Sequence, residues 1–268
     1  MSRGKITTAE ILIKSLEAKG VKYIFGLPGE ENLAFLEALR RSSIKLILTH
    51  NEQSAVFMAS TFGRITGKIG VAFSTLGPGA TNLLTGVAYA QLGGMPLLVI
   101  SGQKPIRKSK QGKFQIVDIV EIMKPITKFS ASITSPDQAQ PFLQKAIHLA
   151  ESERKGAVHL ELPEDIASEH ATWKQTKQEK ENSKKPNQKA VEEVVRIIEK
   201  SDHPLVIVAS GANRKNIGKE LKKFVGKTKI PFMSTQLGKG ILDENSDSYI
   251  GTTALSAGDY VHKAIEKS

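Results

Sequence analysis

The chain runs Leu46-Ile47-Leu48-Thr49-His50-Asn51-Glu52 and, past a helical stretch from Gln53 to Arg64, Val71-Ala72-Phe73-Ser74-Thr75-Leu76-Gly77-Pro78-Gly79-Ala80-Thr81-Asn82. Both stretches follow one plan: an apolar run of strand length, a polar or glycine-rich turn, then a helix start. Two such units in succession predict parallel strands joined by helical crossovers. A lone acid at the carboxyl end of one strand, facing a glycine-proline turn at the end of another, predicts a ligand site at that edge of the sheet. Glu52 is the candidate catalytic residue, a proton handle for a cofactor ring.

The same alternation extends outward from this pair. Thr7-Thr8-Ala9-Glu10 reads as a capping box, and Ile11, Leu12, Leu16 and Ala18 give a helix that Gly20 ends. Val21 to Phe25 is the next strand, followed by the loop Gly26-Leu27-Pro28-Gly29 and a helix carrying Leu33, Phe35, Leu36 and Leu39. Pro96 to Ile100 is almost wholly apolar, as a strand buried on both faces must be, and Ala157 to Leu162 closes the set. The fold class is therefore α/β. A doubly wound parallel-sheet domain is expected over 1–168, a lysine-rich linker over 169–189, and a second, Rossmann-like unit over 190–268. In the second unit Leu205 to Ala209, Ile230 to Met233 and Tyr249-Ile250 are strands, with a final helix over Asp259 to Lys267. About 80 residues with so few strands is too little to cover both faces of a parallel sheet, so this domain is expected to be incomplete.

The formal charge of +11 invites a nucleic-acid reading. Much of the excess lies in Trp173 to Lys189, where lysines alternate with Asn, Gln and Pro and the aromatics needed for base stacking are missing. A solvated linker is the better account, and no nucleic-acid or membrane partner is expected. There is no cysteine, no signal-peptide core and no apolar run near the ~20 residues that span a bilayer, which together predict a cytoplasmic protein.

Other cofactor chemistries fit poorly. Gly77-Pro78-Gly79-Ala80-Thr81-Asn82 has two glycines of a dinucleotide fingerprint but Asn82 in place of the third. No acid follows at the roughly 20-residue spacing that would hold a ribose. The histidines show no metal-ligand spacing, and His50 reads as a strand-end polar residue.

Taken together, Phe25-Gly26-Leu27-Pro28-Gly29, His50-Asn51-Glu52-Gln53-Ser54-Ala55, Ser74 to Asn82 and Pro96 to Gln103 resemble the thiamine-diphosphate enzymes of the acetolactate synthase group. Phe114-Gln115, Pro125-Ile126-Thr127-Lys128 and Gly156 to Asp165 extend the resemblance over essentially the whole chain. It implies a first domain that binds the aminopyrimidine half of thiamine diphosphate, with the acid matching Glu52 on the pyrimidine N1′. By the same matching Pro28, Gly29, Thr75, Pro78 and Asn82 line the pyrimidine end, and Phe114 and Gln115 belong to the loop over the substrate. The implied reaction is decarboxylation of a 2-oxo acid such as pyruvate and ligation to a second 2-oxo acid. The family completes each site across a homodimer or with a partner chain, and some relatives hold FAD in the central domain, near the position of Gly211-Ala212.

Two departures stand out. Glu30, followed by Glu31, occupies a position that is small in branched-chain acetolactate synthases, and a carboxylate there would repel a 2-oxo acid. Either Glu30 points away, or the substrate differs from pyruvate, as in a decarboxylase for aromatic or sulfonated 2-oxo acids. The family's Gly-Asp-Gly motif for Mg²⁺ and diphosphate is also missing, since Gly258-Asp259 is followed by Tyr260. This chain is thus expected to hold no metal site, to represent the amino-terminal portion of such an enzyme, and to lack turnover alone. A non-catalytic truncated or split-gene product is the remaining alternative.

Overall fold

The computed structural model describes residues 5–107, 112–173, 186–214, 217–253 and 260–268. Tertiary contacts divide the chain into two units, Met1–Lys177 and Gln178–Ser268.

In the first unit β1 (Lys5–Thr7) leads into α1 (Thr8–Ala18), whose start is the expected capping box of Thr7 and Glu10. β2 (Tyr23–Gly26), α2 (Leu33–Arg40), β3 (Lys45–Leu48), α3 (Glu52–Thr66) and β4 (Gly70–Ser74) follow. Next come α4 (Gly77–Thr81), α5 (Leu84–Leu92), β5 (Leu97–Gln103), α6 (Ile119–Met123) and β6 (Ser130–Ser132). α7 (Pro136–Glu151), β7 (Ala157–Pro163), α8 (Glu164–Ser168) and β8 (His170–Thr172) complete it.

Six of these strands form one sheet in the order β3-β2-β4-β5-β7-β6, every pairing parallel. β4, β5 and β7 are buried along their whole length, as expected of central strands covered on both faces. β3 lies at the edge, and its Leu48 is 61% exposed although the sequence stretch is uniformly apolar. β1 and β8 pair antiparallel as a separate ribbon that ties the two ends of the unit together. Residues 170–172 therefore belong to this unit and not to the linker expected from 169. At three residues each, β1, β6 and β8 are too short to show a periodicity. Residues 174–185, the heart of the lysine-rich stretch, lie outside the described residues.

The second unit has α9 (Gln188–Lys200), β9 (Val206–Val208), α10 (Ile217–Thr228), β10 (Phe232–Ser234), β11 (Tyr249–Thr252) and α11 (Tyr260–Glu266). Its strands form a parallel sheet in the order β11-β10-β9 over a small core of Val208, Val225, Phe232 and Leu242. α9 begins at Gln188, inside the span expected to be linker, and buries none of its residues. Its apolar Val191, Val194 and Ile197 are exposed.

One polar group is sealed inside the large sheet. His159 on β7 is fully buried, with Nε2 2.8 Å from Ser101 Oγ on β5 and Nδ1 2.9 Å from Ser130 Oγ on β6. Ser130 spends its one hydroxyl hydrogen on the Val120 carbonyl. It must therefore accept from Nδ1–H, which leaves Nε2 to accept from Ser101. Both ring nitrogens are satisfied with the imidazole neutral, and burial pushes its pKa down to about 3.

A depressed histidine pKa means that the unfolded chain takes up protons as pH falls below about 6.5 while the folded chain does not. Its stabilising contribution is complete above that pH and declines toward pH 3. We expect urea-unfolding free energy to fall by about 2 kcal/mol more between pH 7 and pH 5 in the native chain than in His159→Gln. Equal pH slopes in the two proteins would remove His159 as the cause.

Candidate active site

The site is assembled by glycines that let backbone meet backbone. A Cβ on Gly70 of β4 would lie 1.9 Å from the Ala59 carbonyl oxygen of α3, and one on Gly63 of α3 would lie 2.5 Å from the Pro96 carbonyl oxygen. A Cβ on Gly86 of α5 would lie 2.7 Å from the Val56 side chain. α3 thus rests on the sheet with no side chain as spacer, and it meets α5 through the Val56 side chain. Ala55, Val56 and Ala59 form the buried face of α3, whereas Met58 is exposed.

Seating α3 this way fixes its amino terminus. Asn51 caps the helix through Oδ1, which accepts from Gln53 N at 2.8 Å, and Glu52 is the first helical residue. A carboxylate is favoured there by the helix dipole and the free backbone donors. Glu52 is only 6% exposed, and its Oε2 accepts from Asn82 Nδ2 at 2.9 Å. The glycine-proline turn forms α4, so Asn82 directly follows that short helix. A Cβ on Gly79 would lie 3.1 Å from Glu52 Oε1 and 2.7 Å from Thr75 Cγ2, and one on Gly29 would lie 2.7 Å from Thr75 Cβ. Gly29, Glu52, Thr75, Gly79 and Asn82 converge at the carboxyl ends of β2 and β4. The donor set fits an aminopyrimidine: a buried carboxylate, held by an amide, beside backbone that glycine keeps bare.

The other expected residues are more peripheral. Pro28 and Pro78 are exposed at the rims of their turns, and His50 is exposed. Gln115 has a left-handed backbone (φ 59°), and its carbonyl oxygen would be 2.3 Å from a Cβ on Gly77. The loop therefore crosses the first glycine of the turn. Phe114 is 69% exposed.

Glu30, the residue whose charge the sequence calls into question, is exposed. Glu31 is the buried one, and it meets Thr75 and Lys104. Neither Glu31 nor Lys104 is singled out by sequence reasoning. The signal available was an unusual acid pair after Pro28-Gly29 together with a lysine directly after Gly102-Gln103. Nearby, burial pushes the Glu164 carboxyl up, and the charges of Glu30 and Glu31 push it the same way against Lys104. Glu161 on β7 is also pushed up by burial, opposed by hydrogen bonds from Ser132 and Gln103.

Gly79→Ala tests the cradle. In an exposed helix this change stabilises by about 1 kcal/mol, whereas overpacking a closed site costs about 1–3 kcal/mol. The expected result is a net loss of up to about 2 kcal/mol in urea unfolding, because the new methyl meets Thr75 and Glu52. A stabilised variant would mean that the turn has room to spare.

Residues 6–122 match the sequence profile described as "Thiamine pyrophosphate enzyme, N-terminal TPP binding domain", and residues 191–268 match that of the "Thiamine pyrophosphate enzyme, central domain". The chain is similar to a probable acetolactate synthase large subunit of Methanocaldococcus jannaschii, at 34% identity over 254 residues, covering 92% of this chain and 43% of the relative. It is similar to the chloroplastic acetolactate synthase of Arabidopsis thaliana, at 34% identity over 267 residues, 97% of this chain and 40% of the relative. An acetolactate synthase of Arthrospira platensis is 33% identical over 261 residues, 94% of this chain and 45% of the relative. The chain thus spans less than half the length of these curated relatives. A parallel α/β sheet, a carboxylate cradled at its edge and these matches agree: the chain belongs to the thiamine pyrophosphate enzymes, matches their N-terminal and central domains, and is similar to the amino-terminal part of acetolactate synthases.

Proposed function

We propose that this chain supplies the aminopyrimidine half of the active site of an acetolactate synthase-like carboligase acting on 2-oxo acids such as pyruvate. The observation that supports the reading is the Glu52 carboxylate, buried at the start of α3, held by Asn82 at 2.9 Å and facing the bare backbone at Gly79. Glu52 would hold the pyrimidine N1′ and share a proton with it, a task suited to a carboxyl whose partner is an amide and not a fixed cation. Asn82 keeps the carboxylate turned toward the cradle. Pro28, Gly29, Thr75 and Pro78 would line the ring, and Gln115 and Phe114 would approach from the loop above the Gly77 turn. Bound there, thiamine diphosphate supplies the carbanion chemistry that removes carbon dioxide from one 2-oxo acid and joins the remainder to another. The residues of this chain bind, orient and keep water from the ring face.

The diphosphate and Mg²⁺ contacts are proposed to come from a second subunit or a partner polypeptide, so that a dimer is the working unit. Metal-bridged diphosphate provides much of the cofactor's anchoring, and the isolated chain is therefore proposed to lack turnover. In the central domain the turn at Ser210–Ala212 follows β9, and a Cβ on Gly211 would meet open space, room that an FAD contact would use. A cytoplasmic location is part of this proposal; no helix among the described residues is long and apolar enough to cross a membrane. A second reading, a carboligase for another 2-oxo acid such as an aromatic or sulfonated one, was raised by Glu30 in the sequence; that residue is exposed, and the buried Glu31 is paired with Lys104. A panel of 2-oxo acids given to the assembled enzyme separates the two readings.

The test begins with the 268-residue chain. Incubated with pyruvate, thiamine diphosphate and Mg²⁺, it should form no acetolactate above the blank. Ligand-observed NMR should nonetheless detect binding of 4-amino-5-hydroxymethyl-2-methylpyrimidine, the cofactor's ring half. Glu52→Gln should weaken that binding about tenfold or more, the value of a hydrogen bond to a charged group. Unchanged affinity in the variant would sink the assignment of Glu52.

A further inference from the structure

The two acids after the Pro28-Gly29 turn meet opposite fates. Glu30 is exposed, whereas the Glu31 side chain is 8% exposed and engages two partners through separate oxygens. Oε2 accepts a 2.5 Å hydrogen bond from Thr75 Oγ1, and Oε1 faces Lys104 Nζ at 3.4 Å. The lysine side chain is equally buried. Withdrawing two charges from water is costly, and an apolar pair would often serve stability as well. A buried pair at this place is better explained by geometry than by stability.

Thr75 is what that geometry holds. It follows the last residue of β4, and the two turns of the site close on it from either side: Gly29 against its Cβ and Gly79 against its Cγ2. Gly79 in turn abuts Glu52 Oε1. Rotation of Thr75 about its Cα–Cβ bond would swing a methyl or a hydroxyl into one of the turns. Donating its only hydroxyl hydrogen to Glu31 locks that rotation. We propose that Glu31 is a positioning residue of the aminopyrimidine half-site, acting through Thr75 to set the spacing of the two glycine turns around Glu52, with Lys104 as its fixed counter-charge. The inference rests on the half-site reading given above. It also removes the objection to an anionic substrate, because Glu30 faces solvent and the charge of Glu31 is cancelled inside the wall.

The experiment is a mutant cycle read by pyrimidine binding, with urea unfolding measured in parallel. Thr75→Val should weaken 4-amino-5-hydroxymethyl-2-methylpyrimidine about 5–10-fold, and Glu31→Ala should do the same. Combining them should add nothing, because the second change acts on a link already cut. Glu31→Leu with Lys104→Met provides an apolar pair of similar volume that stays folded even where Glu31→Ala does not. It should match the native chain in stability yet show the same weakened binding, since Thr75 has lost its acceptor. Native affinity in the apolar-pair protein, or full additivity of Thr75→Val in either background, would overturn the proposal. A loss in Glu52→Gln with none in any Glu31 variant defeats this proposal and leaves the half-site reading standing. A native chain that binds no pyrimidine defeats both.

Discussion

The approach of α3 to β4, with the Ala59 carbonyl pressed against Gly70, is the constraint from which the site follows. A helix separated from a sheet by side chains can slide and tilt as those side chains choose other rotamers. Here the contact is between main chains, and Gly63 repeats it against the Pro96 carbonyl, while Gly86 leaves room for the Val56 side chain. Residue 52 is consequently delivered to one place, within reach of Asn82 from the next turn. The hydrogen bond between them is a result of the packing as much as a cause. This is the close helix–strand packing that glycine makes possible in nucleotide-binding folds, used here to aim a carboxylate.

The central strands impose a second condition. β4, β5 and β7 are buried throughout, so each polar group they carry must be answered within the protein. Ser101 and Ser130 answer His159, and Gln103 donates to Glu161 at 3.1 Å. These links join β5, β7 and β6 by side chains in addition to the backbone ladder. At the carboxyl edge Lys104, directly after β5, meets Glu31. The interior network and the site are thus continuous along β5, from Ser101 through Gln103 to Lys104.

Much of this was legible from residues. Strand-length apolar runs ending in Asn51-Glu52 and in Gly77-Pro78-Gly79 gave the parallel sheet and the edge at which the site lies. The glycine-proline turn placed Asn82, although nothing in the spacing revealed that its amide would reach Glu52. The three-residue strands β1, β6 and β8 were invisible, because a period of two needs more residues to declare itself. The exposure of Leu48 and Met58 was hidden for a different reason: an apolar residue reads as core whether it faces the sheet or lies at its edge. Which of Glu30 and Glu31 turns inward was also undecidable. Gly29 is extended and residues 30–32 form a tight 3-10 turn, in which neighbouring side chains diverge by about a third of a revolution. One residue of register decides which acid is buried.

That single step of register matters to the chemistry. An acid paired with a buried ammonium is poorly placed to trade protons, since protonating it strands the cation. An acid whose partner is an amide keeps a hydrogen bond in either state. Glu31 has the first kind of partner and Glu52 the second, although the turns around Thr75 bring both into one network. The two carboxylates are therefore not interchangeable. Glu31 is suited to holding the frame, and Glu52, at the helix start and beside the bare Gly79 backbone, is the one left available to a ring nitrogen.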